Sequence, residues 1–123
     1  MIRVDERMNI EEGDLYLADK MRAQMDYHMF LAHALAVNAC HELVEGGKIG
    51  PAVSSTCTYP LTNKPEDVWA AKMNDAFKTD YCLEMHATGE YPGYYMRYLR
   101  ERNIVPKMEQ GDKELLRSAK MDY

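Results

Sequence analysis

Apolar positions between residues 15 and 47, LYLADKMRAQMDYHMFLAHALAVNACHELVEGG, recur at helical intervals. Leu17, Met21, Met25, His28, Ala32, Leu35, Ala39 and Leu43 step by three and four, which predicts one face of a long helix. Asp14 is placed to cap its start, and Gly46-Gly47 to end it. Charges at Asp19, Lys20, Arg22 and Asp26 mark a polar face in the first half, whereas MFLAHALAVNACHELV is apolar nearly all round. A helix apolar on every side is normally covered on more than one side.

The pattern then changes period. KIGPAV is short, partly β-branched and bounded by glycine and small polar residues, which predicts a strand there, weakened by Pro51. Five small hydrogen-bonding side chains follow, Ser54 to Thr58. Asn63 as cap, Pro65 in the first turn and Glu66 and Asp67 at the positive end of the dipole predict a helix over 65–88. Trp69, Met73, Phe77, Tyr81 and Met85 form its stripe, and Gly89 its stop. Shorter helices are predicted around Tyr95, Met96 and Leu99 and over DKELLRSAK, with residues 1–13 an irregular lead-in. Helices alternating with extended segments suggest a parallel α/β sheet. One convincing strand cannot make a sheet, so the pattern describes a single partial domain.

Composition narrows the function. The 123 residues suit one domain, and a net charge of −5 with interspersed signs offers no basic face to nucleic acid or anionic lipid. No apolar run approaches the roughly 20 residues needed to span a bilayer. The charged start, MIRVDERMNIEEGD, lacks the apolar stretch of a signal peptide. Cys40, Cys57 and Cys82, odd in number and without a CxxC, point to reduced thiols and a cytoplasmic setting.

Candidate chemistry is sparse. Around a helix, His33 lies about 140° and His41 about 220° from His28, so these imidazoles do not converge on a metal. Cys82 and His86 share a helical face, but two ligands are not a site, and Gly89 and Pro92 stop the helix before Glu90 can join. No glycine-rich phosphate loop, GxSxG or zinc pattern occurs.

YHMFLAHALAVNACHE, GKIGPAVSSTCTYPLTNKPEDVWAAKM and GEYPGYYMRYLRERNI, in this order, resemble the middle of glycoside hydrolase family 1. The nearest branch is that of the bacterial 6-phospho-β-glucosidases, and the resemblance runs over residues 16–123. It implies a fragment of a (β/α)₈ TIM barrel, from the helix after strand four through strand five at 48–54 and the helix after it to the start of strand six at AKMDY. Such a fragment would be mostly helical in isolation.

In these retaining enzymes two carboxylates about 5–5.5 Å apart act as acid/base and nucleophile. The acid/base glutamate belongs to an Asn-Glu motif expected just before Met1, and the nucleophile to a Glu-Asn-Gly motif expected well beyond Tyr123. Neither motif occurs in the chain, so the resemblance carries over no catalytic residue. It implies substrate contacts at Ser54, Ser55, Thr58 and Tyr59, on the rim of the barrel mouth. It further implies a phosphorylated or plain β-glucoside as the parent's substrate, and no metal or other cofactor. The alternative is a non-catalytic helical interaction module that covers its apolar helix faces with a partner or by self-association.

Overall fold

The computed structural model describes residues 12–123, which form five α-helices joined by extended and turn segments. These are α1 (Glu12–Leu43), α2 (Pro65–Asp75), α3 (Tyr81–Thr88), α4 (Gly93–Glu101) and α5 (Asp112–Ser118). A single π-helical turn, Ala76–Asp80, joins α2 to α3 without a break, the Tyr81 N–H reaching back to the Ala76 carbonyl. The expected helix over 65–88 is thus continuous but carries one wider turn. Most of the expected lead-in falls outside the described residues. Asp14 lies inside α1 rather than capping it. Nor does Asn63 cap α2: Lys64 stands at that position, and Thr62 hydrogen-bonds Asp67 across the first turn.

At 1.5 Å per residue, the 32 residues of α1 make a rod about 48 Å long. The buried positions along it are Ala23, Tyr27, Phe30, Ala34 and Val37. They step by four and three, as the expected stripe does, but lie roughly 160° around the helix from it. All eight positions of that expected stripe are exposed, Met25 at 64% and Leu43 at 78% among them. The second half of α1 is apolar on both faces, so periodicity alone could not choose between them.

Two apolar clusters cover the chosen face. Tyr27, Phe30 and Ala34 pack with Met85 of α3 and Leu116 of α5, and Tyr81, Tyr91 and Leu115 close around them. Nearer the start of α1, Ala23 packs with Leu99 of α4 and Ile104. The tyrosines of GEYPGYYMRY join the two. Tyr81 and Tyr95 stack with ring centroids 3.9 Å apart, and Phe77 meets Tyr94, Tyr95 and Tyr98. Gly89 takes a left-handed conformation at the end of α3, and a Cβ there would lie 2.6 Å from the Leu116 backbone. Glycine is therefore required both by the turn and by the approach of α5.

The expected strand over 48–54 does not form. Among the described residues there is no strand, and 47–60 run as irregular extended chain. A strand exists only as part of a ladder, and Pro51 has no N–H to contribute to one. One trace of pairing remains. The Asp122 N–H donates to the Ile49 carbonyl at 2.9 Å, and the Ile49 N–H donates to the Asp122 carboxylate at 2.8 Å. His41 Nε2–H donates to the same carboxylate oxygen at 2.8 Å. This contact and the Ile49 N–H hold the Asp122 carboxyl below its ordinary range. Tyr123 lies so close to Gly50 that a Cβ would meet its carbonyl oxygen at 2.3 Å.

The two faces of α1 make opposite predictions. Leu99→Ala, which empties the wall against Ala23, should lower unfolding stability by about 2–5 kcal/mol in urea titration. Met25→Ala, on the exposed face, should change it by less than about 0.5 kcal/mol.

Candidate functional site

The small polar segment after Val53 is held by the junction of α2 and the π-turn. Thr58 N–H donates to both oxygens of the Asp75 carboxylate, at 3.0 and 3.1 Å, and its hydroxyl donates to Oδ1 at 2.5 Å. Asn74 Nδ2 donates to the Thr58 hydroxyl at 2.7 Å. The Thr56 N–H donates to the hydroxyl of buried Thr79 at 3.5 Å. Asp75 and Thr79 stand four apart, so the last turn of α2 and the π-turn present both acceptors to one stretch of backbone. The π-turn is also fixed from outside, where the Tyr94 hydroxyl donates to the Ala76 carbonyl at 3.0 Å.

This clamp sorts the expected contact residues. Thr58 is half-buried and its hydroxyl is committed to Asp75 and Asn74. Ser54, Ser55 and Tyr59 are exposed, Tyr59 at 86%. They do not share one pocket. Thr58 and Tyr59 border a shallow hollow of about 240 Å³ against α2, Ser54 lines a separate cleft, and Ser55 lines neither. Sequence reasoning missed Asp75 and Thr79, which anchor the segment. Their only signal was spacing, since both follow α2's acidic first turn at helical intervals.

The cleft that Ser54 lines measures about 360 Å³ and separates Pro51–Ser54 from α1 and α3. Asp26 and His33 reach it from α1, Cys82 and His86 from α3. The His33 and His86 rings meet edge to face with centroids 4.4 Å apart, and Phe30 and His86 meet in the same way at 5.1 Å. Burial, with the neighbouring His33 second, pushes His86 down to about 4, and burial also lowers His33. His33 Nε2 is buried without a hydrogen-bond partner. Burial raises the Cys82 thiol, which opposes thiolate formation. It also raises Asp26, partly offset by the Tyr81 hydroxyl, which donates to Asp26 at 3.4 Å.

Among the described residues, no three His, Cys, Asp or Glu side chains are grouped to hold a metal. The histidines of α1 have separate partners: His28 meets Gln24, His33 meets His86, and His41 meets Asp122. The cleft offers one carboxylate, one thiol and two neutral imidazoles. Glu90 lies past the end of α3, paired with Arg117 rather than with Cys82 and His86. Cys40, Cys57 and Cys82 are all free thiols.

Two measurements test this geometry. Asp75→Ala leaves the Thr58 N–H and hydroxyl without an acceptor, so it should cost about 1–3 kcal/mol and abolish hydrogen-exchange protection of the Thr58 amide. The imidazole pair sets the acid response. His86 binds its proton near 4 when folded and near 6.5 when unfolded, so its contribution is complete above 6.5 and is lost as pH falls towards 4. Asp26, with its raised value, opposes the fall at the acid end. Lys78 also lines the cleft, and Tyr81 and Cys82, both raised by burial, stay neutral over this window. Thermal unfolding should therefore show a falling midpoint from pH 6.5 to 4, and His86→Phe should flatten it.

Residues 16–123 match the family described as Glycosyl hydrolase family 1. The chain is 46% identical over 115 residues to an aryl-phospho-beta-D-glucosidase of Bacillus subtilis, which covers 92% of this chain and 24% of that protein. It is 33% identical over 108 residues to a 6-phospho-beta-glucosidase of Escherichia coli, covering 88% of this chain and 22% of the relative. A phospho-cellobiase of Klebsiella oxytoca is 33% identical over 103 residues, covering 81% of this chain and 22% of its own length. The chain thus spans about a quarter of the length of the curated relatives it matches. With the family matched across nearly all of its described residues, this chain belongs to glycosyl hydrolase family 1.

Proposed function

We propose that this chain is a segment of a retaining phospho-β-glucosidase barrel, from the helix after strand four to the first residues of strand six, and that it hydrolyses nothing alone. In this reading residues 1–123 are one partial domain, of which 14–123 are the barrel segment. The observation that carries it is the pairing of Ile49 with Asp122, which joins the extended segment to the end of the chain where adjacent strands five and six would begin. The second apolar face of α1, left open by α3–α5, suits a helix that the remainder of a barrel would cover.

The parent would cleave a phosphorylated β-glucoside, the class named in its relatives, through a covalent glycosyl-enzyme intermediate. Ser54, Ser55 and Tyr59 would offer their hydroxyls at the barrel mouth, with Thr58 as the anchor that sets their position. Absence of independent turnover follows from the chemistry of the cleft, where Asp26 is the one carboxylate and double displacement needs two. A phosphorylated substrate and free thiols fit a cytoplasmic setting. No helix among the described residues is long and apolar enough to cross a membrane.

A second reading, a helical module that self-associates, draws on Met21, Met25, Met29 and Leu35, all exposed on α1. Light scattering separates the two, since a stable, defined dimer supports the module. The primary test is incubation with a chromogenic 6-phospho-β-glucoside. Release at the buffer rate is expected, and turnover well above it would overturn the segment reading.

A further inference from the structure

A second hollow, of about 320 Å³, lies where α1, α3, α4 and α5 converge, away from the Ser54–Tyr59 segment. Its floor reaches the core at Tyr27, Met85 and Leu116, each less than a tenth exposed. Met96 of α4 and Met108 of the following loop form its walls. Methionine walls adapt to ligands of varied outline, because the thioether chain is unbranched and polarizable. The volume is at the small end of ligand pockets, which are typically about 300–1,000 Å³, apolar inside, with a few polar groups fixing orientation.

Arg100 and Lys113 stand at the mouth, together with Glu90. Glu90 is already neutralised, bridged by Arg117 and approached by Lys113 at 4.0 Å. Arg100 is exposed, and its guanidinium makes no ion pair or hydrogen bond among the described residues. The mouth therefore carries a surplus of positive charge above an apolar floor. A guanidinium fork is matched to a carboxylate, which it can hold with two parallel hydrogen bonds.

We propose that this hollow binds a small amphipathic carboxylate, of the medium-chain fatty or aryl-alkyl acid class. The hydrocarbon would lie on Tyr27, Met85 and Leu116, and the carboxylate at Arg100. This site is separate from the segment reading above and does not rest on it. Glu90 remains paired with Arg117 when the acid binds, and so does not repel it.

Octanoate titrated into the whole chain, followed by amide resonances, is the test. Saturable shifts at Gly89, Tyr91 and Lys113 are expected. Octanamide, the same shape without charge, should bind about tenfold more weakly. Arg100→Gln, an exposed change whose fold is checked by thermal unfolding, should bring octanoate down to the octanamide level. Equal binding of the two probes, an unchanged Arg100→Gln affinity, or no shift at millimolar octanoate would overturn the proposal. So would sedimentation showing that the hollow is filled by a second copy which octanoate merely displaces.

Discussion

Removing one face of α1 from water is the constraint on which the rest of the structure depends. The helix is apolar on opposite sides through its second half, and a helix of that kind has no stable position alone in solvent. Tyr27, Phe30, Ala34 and Val37 are covered by the chain that follows, and this dictates where α3, α4 and α5 lie. The aromatic layer of Phe77, Tyr81, Tyr91 and Tyr95 fills the space between them. Gly89 allows the turn that brings α5 back against α1.

That helical layer in turn positions the polar segment that follows Val53. Asp75 and Thr79 hold the backbone at 56 and 58, and the cleft beside Pro51–Ser54 is backed by the His33–His86 contact. Burial disfavours the charged forms of Asp26, His33, Cys82 and His86 in the cleft. The lining sets one carboxylate, one thiol and two imidazoles beside that segment. It does not supply the paired, differently tuned carboxylates that glycoside hydrolysis needs.

Membership of the family is compatible with the absence of a sheet among the described residues. In an α/β barrel each strand owes its form to its neighbours' backbones, whereas each helix closes its own hydrogen bonds. Helices without a ladder among the described residues are consistent with part of such a barrel. Ile49 and Asp122 meet through two hydrogen bonds, and no ladder extends from them among the described residues.

The sequence by itself determined the helices and their stops, because helical hydrogen bonds, capping glycines and apolar spacing are local. Gly89, Pro65 and the stripe from Met73 to Met85 were legible for that reason, although Trp69 at its start stands exposed, as were the motifs that mark the family. Which side of α1 is buried was not legible, since both sides carry apolar residues at helical spacing and only the distant tyrosines, Leu99 and Leu116 choose between them. The π-turn, the Asp75 clamp on Thr58 and the meeting of His33 with His86 were equally hidden. The last two join residues 17 and 53 positions apart, and such contacts come into existence only when the helices pack. The strand over 48–54 failed for the converse reason: the partners that would make it a strand are not a property of its own residues.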